Sequence, residues 1–206
     1  MPQLFLKGLA FGFVLAATVG PMWVLCLRRT LAQGTLAGFV SGMGIAAADG
    51  IYGAIAAFGL TAVSGFLLAH GFWLGLAGAA FLLWLGLKAL LAKPVPLDAG
   101  GPAAPARSLA AAFGSMLALT LANPPTILAF AAIFAGLGLT AGAGYSGAGL
   151  IVAGVFLGSA AWWIILALGA GWLRGRIGPG LARGINVVSG LTILGFAAWQ
   201  LALLLR

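Results

Sequence analysis

One carboxylate stands inside the apolar part of this chain. Asp49 lies in Gly-Met-Gly-Ile-Ala-Ala-Ala-Asp-Gly-Ile-Tyr, near the middle of a long apolar run, and the other acid, Asp98, lies in a Pro/Gly/Ala-rich stretch. A carboxylate at membrane depth is expensive. Such groups usually face a cavity, pair with a cation or relay protons. Desolvation favours the neutral form of a carboxyl, so Asp49 could load and release a proton during a transport cycle. The structural alternative is a neutral acid bonded to Tyr52, a Thr or a backbone group.

Two prolines interrupt other apolar runs. Pro21 lies in Ala-Thr-Val-Gly-Pro-Met, and Pro124, doubled by Pro125, lies in Leu-Ala-Asn-Pro-Pro-Thr. Proline removes a backbone donor and clashes with the preceding turn, so a helix bends or opens there. In lipid the freed groups need partners, and such breaks persist only inside protein or beside a watery cavity. An opened helix offers N–H groups to an anion at one half-helix start and carbonyls to a cation at the other end. Gly20 and Pro21 at the first break, Asn123 and Pro124 at the second, and the hydroxyls of Thr18 and Thr120 beside them would suit a zwitterion. Its ammonium would meet carbonyls or Asp49. The alternative is that the prolines only kink helices for packing.

The elements that must position these groups follow from composition. Of 206 residues, 63% are hydrophobic and 6% charged, where a soluble domain carries about 25% charge. The chain reads as an all-α integral membrane protein. Six apolar runs reach the roughly 20 residues needed to cross hydrocarbon: about Leu4–Leu27, Leu36–Val63, Gly71–Leu91, Leu109–Leu137, Gly147–Leu173 and Ile185–Leu205. Cleavage of the first as a signal peptide is disfavoured, because no Ala-x-Ala site follows and the run continues to Arg28.

The ten Lys and Arg outweigh the two Asp, but they sit in short loops, so orientation and headgroup contacts explain them better than nucleic acid does. Arg28, Arg29, Lys88, Lys93, Arg107, Arg174, Arg176 and Arg183 flank the odd-numbered loops; Lys7 and Arg206 lie near the termini. Positive residues stay cytoplasmic, which turns both termini outward, to the periplasmic side if the membrane is a bacterial inner membrane.

Residues 93–107 form a Pro/Gly/Ala-rich linker between a first three-helix unit, 1–92, and a second, 108–206. Three is odd, so halves of like fold would be an inverted 3+3 repeat with helices 1 and 4 broken. Glycines spaced by four, such as Gly8/Gly12, Gly34/Gly38/Gly42, Gly71/Gly75 and Gly154/Gly158, allow close helix approach. They suit the bundle's own seams better than a homodimer interface.

Cys26 and His70 are each the sole residue of their type. That excludes an internal disulfide, a Cys-x-x-Cys pair and a histidine-cluster metal site. No nucleophile–base pair and no phosphate loop argues for an enzyme, and no cofactor is called for. Trp162 and Trp163 sit mid-span, as cavity lining or packing; Trp23 and Trp73 read as interfacial anchors.

These motifs, in this order, resemble the lysine exporter (LysE/RhtB-type) family. Gly20-Pro21, then Arg28-Arg29, Gly34 and Gly38, look like its first signature. Gly44 to Asp49 resembles its Gly-x-x-x-Gly-Asp element, with Ala48 where Gly is common. Leu76 to Lys88 resembles its Gly-Ala-x-Tyr-Leu-x-Tyr-Leu-Gly element, with Phe81 and Trp84 for the tyrosines. Asn123-Pro124 matches Asn-Pro-Lys, with Pro125 for the lysine.

The resemblance implies an inner-membrane exporter of amino acids or related small metabolites driven by proton exchange, with Gly20, Pro21, Asp49, Asn123 and Pro124 at the site. Loss of the lysine and two phenols points to a substrate less like a basic amino acid. An exporter of metal or other inorganic ions is the nearest alternative. It lacks a full set of ligands unless backbone carbonyls contribute.

Overall fold

The computed structural model describes residues 2–58, 69–91, 106–123, 126, 130, 144–174, 176 and 178–205. These form seven helices and, among the described residues, no strand: α1 (Pro2–Ala17), α2 (Pro21–Gln33), α3 (Thr35–Ala57), α4 (Gly71–Leu91), α5 (Ala106–Leu121), α6 (Gly144–Arg174) and α7 (Pro179–Leu204). Helices are what such apolar sequences must form in lipid, because each backbone N–H and C=O is then satisfied within its own segment.

Four of them, α3, α4, α6 and α7, are long and apolar enough to cross a membrane. A fifth crossing arises if α1 and α2 are one span, bent by 75° between them. The apolar part of α5, Ser108–Leu121, is shorter. The expected fourth span, Leu109–Leu137, runs beyond α5 into residues mostly outside the described set. The linker at 93–107 lies largely outside it too.

The first break falls where the sequence places it. Gly20 is extended, with φ −149° and ψ −174°, and Pro21 opens α2. Proline's fixed φ and missing N–H suit the first helical turn, so the break in one helix is also a start for the next. At its far end α2 turns into α3 through Gly34 alone. That residue has φ +98°, a conformation side chains disfavour, and its N–H caps the Thr30 carbonyl at 2.9 Å.

Two of the glycine pairs build one seam, while Gly71 meets nothing within 4 Å. Gly8 and Gly12 of α1 lie directly on the backbone of Ile151 and Val155 in α6, while Gly154 and Gly158 lie on the backbone of Phe5 and Leu9. The two stripes interlock, so α1 and α6 run parallel with backbones in contact. Small-residue packing of this kind supplies the dispersion contacts that drive association in lipid. Gly75 contributes differently: its carbonyl accepts from Gln200 Nε2 at 2.7 Å.

Directions of the other pairs follow from their contacts. Gly42 meets Trp163 and Gly171 meets Thr35, so α3 and α6 are antiparallel. Gly44 lies on Phe113, and Tyr52 donates to the Leu121 carbonyl, so α3 and α5 are parallel. Gly86 meets Leu194 while Gln200 reaches Gly75, so α4 and α7 are antiparallel. α2 packs against α3, α6 and α7.

One consequence is that the described basic residues other than Lys7 gather at one end. Arg28 Nε donates to Asn186 Oδ1 of α7 at 3.3 Å, Arg183 reaches the Leu90 carbonyl at 3.1 Å, and Arg174 sits beside Gly34. Lys88, in the last turn of α4, belongs to the same end.

Candidate functional site

Asp49 is buried on α3, 3% exposed, and faces α6. Ser159 Oγ donates to its Oδ2 at 2.7 Å. Trp163 Nε1, one helical turn further on α6, donates to Ser159 Oγ at 3.2 Å. The spacing of four puts both α6 side chains on one face. Trp163 is itself buried, and its Cβ fills the space left by Gly42 on α3. The three side chains therefore form a short polar line within the α3–α6 seam. It ends on a carboxylate whose described partner is a hydroxyl, not a cation.

Sequence reasoning names Tyr52, a Thr or a backbone group as structural partners for Asp49. Ser159 holds that place instead. Tyr52 is buried one turn along α3, but its hydroxyl donates at 2.6 Å to the Leu121 carbonyl on α5. It pins the end of α5 and relieves a carbonyl that the helix terminus leaves free. Ser159 could have been suspected only as a small polar residue in Gly158-Ser159-Ala160.

At the first break, Gly20 has no atom within 4 Å of the position a Cβ would take. No side chain caps α2; Pro21 has no N–H and Val24 N–H donates to the Gly20 carbonyl at 3.2 Å, which leaves the N–H groups of Met22 and Trp23 for a ligand. Thr18 is exposed and spends its proton on the Leu15 carbonyl at 2.6 Å. Its oxygen remains an acceptor. The break adjoins the Asp49 line through α6: Gly158, next to Ser159, packs on Leu9 and Phe13, and Phe13 meets Trp162 edge-on with centroids 5.5 Å apart.

At the second break, α5 ends at Leu121 and the chain turns. Asn123 Nδ2 donates to Thr126 Oγ1 at 2.8 Å, and Thr126 N–H returns to the Asn123 carbonyl at 3.0 Å. Thr120 is buried and donates to Met116. Pro124 lies outside the described residues, and so does Pro125.

Two features escape the sequence reading. Arg29, read there as an orientation anchor, ties three helices together: Nη1 donates to Ser41 Oγ on α3 at 3.0 Å and to the Ala112 carbonyl on α5 at 2.9 Å, and Nη2 donates to Ser115 Oγ at 3.1 Å. Trp23, read as interfacial, packs against the core instead, and its Nε1 is buried without a partner among the described residues, as is that of Trp162. As for the inorganic-ion alternative, no three His, Cys, Asp or Glu side chains come together among the described residues.

A bent helix pair, long apolar helices and interlocked small-residue seams are those of a multi-pass membrane protein. The chain belongs to the LysE type translocator family, whose pattern matches residues 13–203. It is 27% identical over 206 residues to a Bacillus subtilis (strain 168) protein named "Putative amino acid efflux protein YcgF", covering 94% of this chain and 93% of that one. No solved structure matches.

Proposed function

We propose that this transporter exports amino acids or related small zwitterions across the bacterial inner membrane in exchange for protons. The observation that carries the reading is Asp49, a buried carboxylate whose described partner is a neutral hydroxyl. An ionised carboxylate in a low-dielectric seam is costly when only a hydroxyl solvates it. Two states avoid that cost: protonated Asp49, or Asp49 paired with a substrate ammonium. Proton and substrate then compete for one group. If the empty, ionised carrier reorients poorly, competition is sufficient for exchange.

The uncapped start of α2 supports a place for the substrate carboxylate, because a helix N-terminus offers free amides and a favourable dipole. Thr18, Gly20 and Pro21 lie there, with Asn123, Thr120 and Pro124 as the counterparts proposed for the second half. Tyr52 joins the site as the residue that holds α5 against α3. The name carried by the Bacillus subtilis relative agrees with amino acids as the cargo.

The proposed frame is six spans in an inverted 3+3 arrangement, 1–92 and 108–206 about a cytoplasmic linker. Packing supports it. Take α1–α2, α3 and α4 as spans one to three, and α5 with its continuation, α6 and α7 as spans four to six. Exchanging the halves turns the parallel pair one–five into the parallel pair four–two. The antiparallel pairs two–five and three–six map onto themselves. All four are among the observed pairings; the packing of α2 on α3 and α7 has no comparable counterpart from α5 among the described residues.

Efflux from cells loaded with a panel of labelled amino acids tests the reading. Asp49→Asn keeps size and hydrogen bonding but cannot ionise, so it should insert normally and lose at least tenfold in efflux driven by a pH gradient. Asp49→Glu should retain part of the activity with an altered pH optimum. An Asn variant with normal rate and normal pH dependence would assign the coupling elsewhere.

A further inference from the structure

We propose that the cleft between α2, α4 and α5 at the basic end holds an anionic phospholipid, its phosphate between Arg28 and Lys88 and an acyl chain lying along α4 toward the midplane. The site does not depend on the transport reading.

Three adjoining recesses make up the cleft. One of about 440 Å³ is lined by Arg28, Lys88, Trp84, Leu87 and Leu91. It shares Arg28, Trp84 and Lys88 with one of about 370 Å³, where Arg29 and Ser115 also contribute. Phe81 and Ser115 continue into a third, of about 310 Å³, whose other walls are Ala77, Gly78, Ala118, Leu119 and Ala122. Polarity therefore changes in one direction. Cations stand at the chain-end side of α4, two aromatic rings follow, and an almost wholly apolar slot follows those.

That gradient is the profile of a lipid. Lys88 and Trp84 are four residues apart on one face, with the ammonium 5.0 Å from the ring centroid. Trp84 and Phe81 are neighbours at 5.3 Å. Lys88 to Ala77 spans eleven residues, or about 16 Å of helix. The hydrocarbon of one leaflet is about 15 Å deep. Trp84, Leu87 and Leu91 are 53%, 52% and 80% exposed, so this face of α4 looks outward from the bundle.

The charge balance favours an anion. Among the described residues, no acid lines any of the three recesses. Arg29 is spent on Ser41, Ala112 and Ser115, whereas Arg28 engages Asn186 through Nε and keeps its terminal nitrogens. A guanidinium and an ammonium at a cytoplasmic helix end are the groups that recognise anionic headgroups. A free zwitterion would leave the apolar slot unfilled, while an acyl chain fills it.

The test uses the full-length protein in detergent and native mass spectrometry, with phosphatidylglycerol and phosphatidylcholine of identical acyl chains. Wild type should retain phosphatidylglycerol at least tenfold better than phosphatidylcholine. Lys88→Gln should lower that preference about fivefold, and Arg28→Gln by a similar factor. Inorganic phosphate or an amino acid in millimolar excess should not displace the lipid.

Equal retention of the two lipids by the wild type would overturn the proposal with no variant needed. Displacement by phosphate would mark a free-anion site, and displacement by an amino acid a substrate pathway; either would overturn it. So would a dimer whose formation expels lipid, because a second copy would then cover this face.

Discussion

At the scale of single residues, the most connected side chain is Arg29. It leaves α2 and reaches α3 and α5 with three hydrogen bonds, to Ser41, Ala112 and Ser115. Only a guanidinium has a fork wide enough to do this, since an ammonium is a compact point donor. Ser41 also donates to the Ala37 carbonyl at 2.7 Å, so Arg29 meets a hydroxyl already oriented to accept. Hydrogen bonds to charged groups contribute about 1.5–3 kcal/mol each where they are buried. Arg29→Lys should therefore cost the fold about 2–4 kcal/mol, seen as a lower midpoint in thermal unfolding of the detergent-solubilised protein. Arg28→Lys loses one bond of 3.3 Å and should cost less than half as much. Equal midpoints for the two variants would show that the three-helix tie is not what Arg29 contributes. The sequence makes Arg28 and Arg29 look equivalent, a basic pair in a loop. What separates them is a partner 83 to 86 residues away for one and 158 away for the other. Pattern carries no such information. The same holds for Asp49: its chemistry is legible from residue type and apolar context, but Ser159, 110 residues on, is not.

At the scale of elements, the legible features are those with local causes. The bend between α1 and α2 follows from Gly20-Pro21, and four long helices follow from apolar length. The Gly8/Gly12 and Gly154/Gly158 stripes are legible as seams but not as to which helix each meets, whereas Gly34 proves to be a turn and Gly71 meets nothing within 4 Å. Their partners are now specific, and α6 contains its own control. A Cβ at Gly158 would run into the Leu9 backbone, whereas one at Gly149, on the same helix, meets nothing within 4 Å. Backbone cannot swing aside as a flexible side chain can, so the cost at Gly158 exceeds the usual 1–3 kcal/mol of overpacking. Gly158→Val should abolish the monodisperse peak in size-exclusion chromatography. Gly149→Val should leave that peak in place, with a modest loss in helix propensity. If both variants behave alike, the α1–α6 seam does not hold the bundle together.

At the scale of the whole molecule, orientation is the open question with the simplest answer. Arg28, Arg29, Lys88, Arg174 and Arg183 come from helices far apart in sequence, yet packing places them at one end. α1 runs parallel to α6 and begins at the opposite end. α7 begins among the basic residues and passes Gln200, bonded near the start of α4, on its way out. The start of α1 and the end of α7 thus share the end away from the positive cluster. Short positively charged loops resist translocation, so that cluster is expected in the cytoplasm. A phosphatase active only in the periplasm, fused after Leu205, should be active, and a fluorescent protein that matures only in the cytoplasm should stay dark at the same position. Each crossing reverses the side, so a bright, phosphatase-negative fusion would mean either an inverted molecule or an odd number of spans. Moving the reporters into the 93–107 linker separates those two outcomes. A linker on the same side as the end of α7 would break the three-plus-three arrangement, because three crossings must change sides.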